Sequence, residues 1–449
     1  MTRSSSFEED RCWPLCEEIT RKPRLLNFRS AVALVIANTI GTGVFTTSGF
    51  ALADLGDPSV VMLAWLVGGF YAIAGVVIYS DLAHRYPESG GEYVFLRRTL
   101  HPALGTAAGW ISLVAGFTVP IAVAALGAEL YLCRALGVSP RRPWIATAIV
   151  FSLGLLHASV PEKGVTVQNV AVSIKVGVIA TFITFGAATI VGTAATASAR
   201  LPETFSPLAF AGSLVWISYA YSGWNAAVYV TGEVEGGGRA VGRALLTGTI
   251  LVIALYLGVS AVILYGAPQE QIKGIAESGA VAARALGGAR VELALSVLIA
   301  LALLTSASSM ILSGPRVYAR MAQDGVLPKV LGRLHGDHPK IAILAQTALS
   351  LVVIWAAGLR ELLQFAGVTL SLSAGVVVLG WFRHDVLSKW SFARVLKAGT
   401  AAFFLAVTAG IAIATLTAGT GSAVAAALLI GWGLSIHALA HLRTGSRPR

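Results

Sequence analysis

The stretch "TIGTGVFTTSG", residues 39–49, interrupts an apolar run from Ser30 to Ala53. A run of that length and character fits a membrane-crossing helix. Yet Gly41-Thr42-Gly43 stands at its middle. Glycine is among the poorest helix formers, and two of them flanking a threonine invite a break. A break at membrane depth leaves N–H and C=O groups unpaired, at several kcal/mol each unless something else bonds them. Whatever bonds them is the natural candidate for a ligand.

Composition places the rest of the chain in the same setting. Of 449 residues, 56% are hydrophobic and 12% charged, with a mean hydropathy of +0.75. Soluble domains carry about 25% charged residues. Period-two alternation is weak, which argues against an outer-membrane barrel. The expected fold class is an all-α polytopic membrane protein. Apolar runs give twelve transmembrane helices: 30–53, 58–82, 102–133, 144–161, 164–192, 207–231, 241–267, 290–314, 340–358, 361–382, 398–418 and 421–441. Tails of 1–29 and 442–449 flank them, and neither the polar N-terminus nor its first residues read as a signal peptide.

The net charge of +11 carries no aromatic-interleaved basic cluster, so nucleic acid is not an expected partner. Its distribution instead sets topology. With a cytoplasmic N-terminus, 24 Lys and Arg fall on inside segments and 8 outside, which places both termini in the cytoplasm of a cell-membrane protein. The remaining basic residue, Lys175, sits within span five. A lysine at a helix centre costs roughly 2.5–3.5 kcal/mol to insert, which marks it as a functional candidate. It lies about 15 Å along its helix, too deep to snorkel easily. Cys12 and Cys16 lack a neighbouring histidine, so no metal site or cofactor is expected.

Span six holds a second interruption, Ser222-Gly223-Trp224-Asn225. Spans one and six are corresponding members of two five-helix units, 30–192 and 207–382, and matched interruptions of this kind point to a transporter site built from inverted repeats. The second half of span one starts near Val44, so the N–H groups around Thr42, Gly43 and Val44 lack intrahelical acceptors and carry the positive end of the helix dipole. They suit a carboxylate. The carbonyls ending the first half near Ile40, with those of span six, suit an ammonium. Together they describe an α-amino acid. No Asp or Glu stands near either break in the sequence, which favours neutral amino acids over cationic ones or polyamines. Packing of helices through small residues is the alternative account of "GTG".

Four stretches resemble the amino acid–polyamine–organocation (APC) superfamily of transporters, which shares the leucine-transporter fold. They are "IGTGVF" (40–45), "RYPESGGEYVFLRRTLHPALGTAAGW" (85–110), "SYAYSGWNAAVYVTGEVE" (218–235) and "SGPRVYARMAQDGVLPKVL" (313–331). The resemblance implies a five-plus-five inverted repeat followed by two helices, within 398–441, and alternating access. It implies carboxylate binding at Gly41, Thr42 and Gly43 with Thr39 and Ile40 alongside, an aromatic gate at Tyr219, and pocket positions at Ser222 and Asn225. Lys175 matches a helix-five lysine of sodium-independent branches, where the ammonium stands near a sodium site of sodium-coupled relatives. Its ammonium would bond the Ile40 end of the first half-helix and Ser306 or Ser309, and could carry a coupled proton.

Two rival classes fare worse. A membrane-embedded enzyme needs convergent acid, base or nucleophile side chains within the spans, and none stands out. A channel needs a repeated pore-lining ring. The 267–288 segment reads as an outer lid or a cover for the bundle. The two C-terminal spans, free of buried charge, read as scaffold or as a homodimer contact.

Overall fold

The computed structural model describes residues 26–159, 164–191, 205–333, 339–385 and 392–444. Both cysteines of the N-terminal tail, and most of the two tails expected at 1–29 and 442–449, lie outside these residues. The described chain is helical, apart from one isolated bridge between Leu26 and Val234.

The first expected span is two helices. Asn27 caps α1 (Phe28–Thr39) by accepting from the Ser30 N–H at 2.9 Å, and α1 ends at Ile40, whose ψ of 95° leaves the helical region. α2 (Gly43–Leu55) starts three residues later and ends on Gly56 at φ +73°. Asp57 then caps α3 (Pro58–Arg85), with Pro58 at its first position, where no N–H is needed. A short amphipathic helix, α4 (Glu92–Thr99), precedes α5 (Pro102–Ile111). A π-helical stretch (Ser112–Thr118) joins α5 to α6 (Val119–Ala135). α7 (Trp144–Ser159) and α8 (Gly164–Val191) follow.

The second interruption differs in form from the first. α9 (Pro207–Tyr221) is capped by Ser206 and stops at Ser222. Beyond Asn225 the chain continues as a 3-10 segment (Ala226–Glu233), where an α-helical second half was expected. Val230, at φ −122°, breaks even that. α10 (Gly237–Gly266), the single turn α11 (Gln269–Ile272), α12 (Ser278–Gln323), α13 (Lys340–Ala356), α14 (Leu359–Asp385), α15 (Phe392–Thr417) and α16 (Gly421–Thr444) complete the chain. α12 overruns the expected span 290–314 at both ends: a short helix leads into it through Gly288 at φ +73°, and the helix continues past Pro315 to Gln323.

Among the described residues nine helical stretches are long and apolar enough to cross a membrane, and two shorter apolar helices are α7 and α13. Their outward faces carry bare large side chains, such as Phe70 (58% exposed), Val352 (66%) and Leu428 (69%). Such a surface belongs against lipid rather than water. The fold is that of a polytopic membrane protein.

The two interruptions face one another. α2 packs on α9, and a Cβ added at Gly43 would come 2.6 Å from the Cα of Ala220. Gly223, at φ +97°, lies against the backbone of Asn38, where an added Cβ would stand 2.6 Å from the carbonyl carbon and oxygen. Gly41, by contrast, faces open space within 4 Å of its Cβ position. Gly223→Ala is therefore expected to cost about 1–3 kcal/mol through strain and overlap. Thermal unfolding in detergent should show a lowered midpoint for Gly223→Ala and a midpoint near wild type for Gly41→Ala.

Candidate substrate site at the facing helix breaks

The first half-helix ends with carbonyls that α1 cannot bond itself. Neighbouring helices supply the donors. The Ile40 carbonyl accepts from the Lys175 ammonium on α8 at 3.0 Å and from the Ser306 hydroxyl on α12 at 2.8 Å. Lys175 also donates to the Ser306 oxygen at 2.7 Å, which closes a triangle of ammonium, hydroxyl and carbonyl. Lys175 is 3% exposed, so its charge is held by these dipoles rather than by water. The Ser309 hydroxyl does not join them: it is buried and has no hydrogen-bond partner among the described residues. It lines a cavity beside Lys175 together with Ala37, His157 and Ser308, and His157 bonds Ser308 at 2.7 Å.

One residue that sequence reasoning missed ties the two breaks together. The Tyr256 hydroxyl on α10 lies 2.6 Å from the Thr39 carbonyl and 3.0 Å from the Ala220 carbonyl, with both oxygens as acceptors. Tyr256 is wholly buried and packs edge-on against Trp65. Its place in an apolar run, "LVIALYLGV", gives no local sign of this role.

α2 begins differently. Thr42 occupies the capping position without a side-chain capping bond, and its hydroxyl donates instead to the Val123 carbonyl of α6 at 3.2 Å. The Phe45 N–H turns back to the Thr42 carbonyl at 3.1 Å. The N–H groups of Thr42, Gly43 and Val44 come before any acceptor within the helix, and they carry the positive end of its dipole. Further along α2, the Phe45 carbonyl accepts from Tyr131 at 3.2 Å and Ser278 at 2.7 Å, and the Gly274 N–H reaches the Gly49 carbonyl at 2.8 Å. The 267–288 segment is thus bonded directly onto α2.

The candidates fall into adjoining chambers. A small one at the break of α1 and α2 is lined by Thr39, Gly41, Thr42, Gly43, Tyr219, Ser222 and Ser306. A larger one is lined by Ser222, Asn225, Ser218, Ser371, Tyr229 and Glu92 among others, and the two share Asn38, Pro120, Ser222 and Met310. Ile40 lines neither and contributes through its carbonyl. Asn225 lines only the larger chamber.

The expectation that no acid stands near the breaks is corrected. Glu92, at the start of α4, is remote in sequence from both interruptions, yet its Oε1 accepts from Asn225 at 2.6 Å. The loop between α3 and α4 brings it there, and only the fold could reveal that. The carboxylate is fully engaged by protein donors, since Tyr79 donates to Oε1 at 3.2 Å and Tyr229 to Oε2 at 2.5 Å.

Loss of the Tyr256 hydroxyl would take away the one proton that the two buried carbonyls share, at about 1–3 kcal/mol. Tyr256→Phe should therefore lower the unfolding midpoint and weaken transport, with thermal melts and liposome uptake as the measurements. A melt identical to wild type would mean that these bonds hold nothing together.

Known proteins place this arrangement in a family. The amino acid permease family profile matches residues 26–434, nearly the whole described chain. The serine/threonine exchanger SteT of Bacillus subtilis is 28% identical over 72% of this chain and 75% of its own length. The human large neutral amino acids transporter small subunit 2 is 24% identical over 80% of this chain and 70% of its own. The human cystine/glutamate transporter is 23% identical over 81% of this chain and 74% of its own. These relatives are transporters and exchangers rather than enzymes. With its two helix breaks inside the matched region, this chain belongs to the amino acid permease family of the APC superfamily.

Proposed function

We propose that the protein is a sodium-independent secondary transporter that moves neutral L-amino acids across the cell membrane by alternating access. In this reading it spans the membrane twelve times, as two inverted five-helix units followed by α15 and α16, with both termini in the cytoplasm. The observation that carries it is the pair of facing interruptions, with bare N–H groups opening α2 beside a chamber lined by polar groups.

The substrate carboxylate takes the N–H groups of Thr42, Gly43 and Val44, which accept it as any helix N-terminus accepts an anion. The ammonium cannot use the Ile40 carbonyl, whose two lone pairs already face Lys175 and Ser306. Its acceptors shift to the Asn38 carbonyl and the hydroxyls of Ser218 and Ser222, which line the same pair of chambers. Tyr219 closes one wall. Glu92 is spent on three protein donors, which leaves no free carboxylate for a cationic side chain and keeps the neutral class ahead of arginine or polyamines.

Lys175 stands in for a bound cation. Its fixed ammonium braces the end of α1 against α8 and α12, so the brace needs no sodium. Whether it also releases a proton during the cycle separates symport from exchange. The name of one relative, the serine/threonine exchanger SteT, favours exchange.

Two measurements test this. Purified protein should be stabilised against heat by alanine, serine, threonine or leucine, and less by arginine or putrescine; the reverse order would refute the neutral class. Lys175→Ala liposomes should lose at least roughly tenfold in uptake, the scale expected when a buried charged hydrogen-bonding partner is removed. Wild-type uptake by this variant, with or without a pH gradient, would remove Lys175 from the mechanism.

A further inference from the structure

Glu92 is an expensive group to bury. It is 5% exposed, and the charged groups on its own helix face elsewhere: Arg97 bonds Asp324 at 2.5 Å and Arg98 bonds Glu88 at 2.6 Å. Hydroxyls and an amide meet its carboxylate instead. Each donor comes from a different part of the site: Tyr79 from α3, Asn225 from the unwound turn after α9, and Tyr229 from the 3-10 segment that follows. The titratable groups that bond Glu92 among the described residues are two phenols, Tyr79 and Tyr229.

The backbone that Glu92 holds is irregular. Ser222 lies at ψ 148°, Gly223 at φ +97° and Val230 at φ −122°, so the segment 222–230 lacks a continuous helical ladder. Its shape depends on side chains. Ser222 and Asn225 both line the chambers described above, so what fixes this segment also fixes the walls around the substrate.

We propose that Glu92 is a positioning residue of the substrate site: its ionised carboxylate sets the unwound turn through Asn225 and Tyr229, and its protonation releases that turn and weakens substrate binding. This rests on the transport reading above. The proton goes onto a carboxylate oxygen, which turns one acceptor into a donor facing three donors, so at least one of the bonds must break or reverse. Burial pushes the Glu92 carboxyl above the usual carboxylate range, and the bonds from Tyr229, Tyr79 and Asn225 pull it back without cancelling that rise.

The sign follows. Above its pKa Glu92 is charged, the turn is held and the KM for substrate is low; as pH falls through that pKa the KM rises. Amide substitution mimics the protonated state at every pH. Removing the Tyr229 hydroxyl takes a donor from the charged form and moves the midpoint to higher pH.

The test is alanine or serine exchange in liposomes with equal pH on both faces, from pH 7.5 to 5.5, so that no proton gradient contributes. Wild type should show KM rising roughly fivefold toward the acid end, the scale of one or two lost hydrogen bonds, with a smaller change in maximal rate. Glu92→Gln should hold the acid-side KM across the range, and Tyr229→Phe should keep the transition at a higher pH. Melting curves and amino-acid-induced stabilisation confirm that each variant is folded. A Glu92→Gln variant with the wild-type KM and pH profile, or a Tyr229→Phe midpoint at or below wild type, would overturn the inference. Wild-type liposomes that exchange no amino acid at any pH would instead overturn the transport reading itself.

Discussion

The Ile40 carbonyl is where this structure's central constraint becomes visible. A helix that stops inside a membrane leaves its last carbonyls in a medium with no water to bond them. Here one oxygen draws an ammonium from α8 and a hydroxyl from α12, and the neighbouring Thr39 carbonyl draws a phenol from α10. Three helices distant in sequence are thereby fixed around one interruption. The other side of the gap, the N–H end of α2, receives no comparable set of acceptors among the described residues, and that asymmetry is why we propose it as the binding end.

The same constraint explains why the two breaks have to meet. Gly43 against Ala220, and Gly223 against Asn38, bring main chain within contact distance where any side chain would intrude. Tyr256 bridges the two with a single hydroxyl. In the proposed reading, this close approach lets one small zwitterion touch both interruptions and couples movement of α2 to α9. The 267–288 segment, bonded to α2 at the Phe45 and Gly49 carbonyls, would have to move with it.

Much of this was legible in the chain. Gly41-Thr42-Gly43 announced the first break through helix propensity, and Lys175 announced itself through its isolation in apolar sequence. Several helices follow their apolar runs closely, such as α3 at Pro58–Arg85 against an expected 58–82 and α13 at Lys340–Ala356 against 340–358. What stayed hidden was carried by long-range contact. Tyr256 sits in an ordinary apolar run, and Glu92 is more than a hundred residues from Asn225. Both act through side chains that reach across the bundle, and no local pattern encodes where such a side chain will end. The 3-10 form after Asn225 was also unreadable: an apolar run such as "AAVYV" fits an α-helix as well, and tertiary bonds decided the matter.

The account turns on one claim, that the substrate completes the main chain at the opening of α2. An experimentally determined structure of the protein with a bound neutral amino acid addresses it without intermediaries. The account predicts the carboxylate within hydrogen-bond distance of the Thr42, Gly43 and Val44 N–H groups. A continuous helix through residues 40–43, or an amino acid lodged away from the break, as in the chamber beside Asp54 and Arg360, would contradict it.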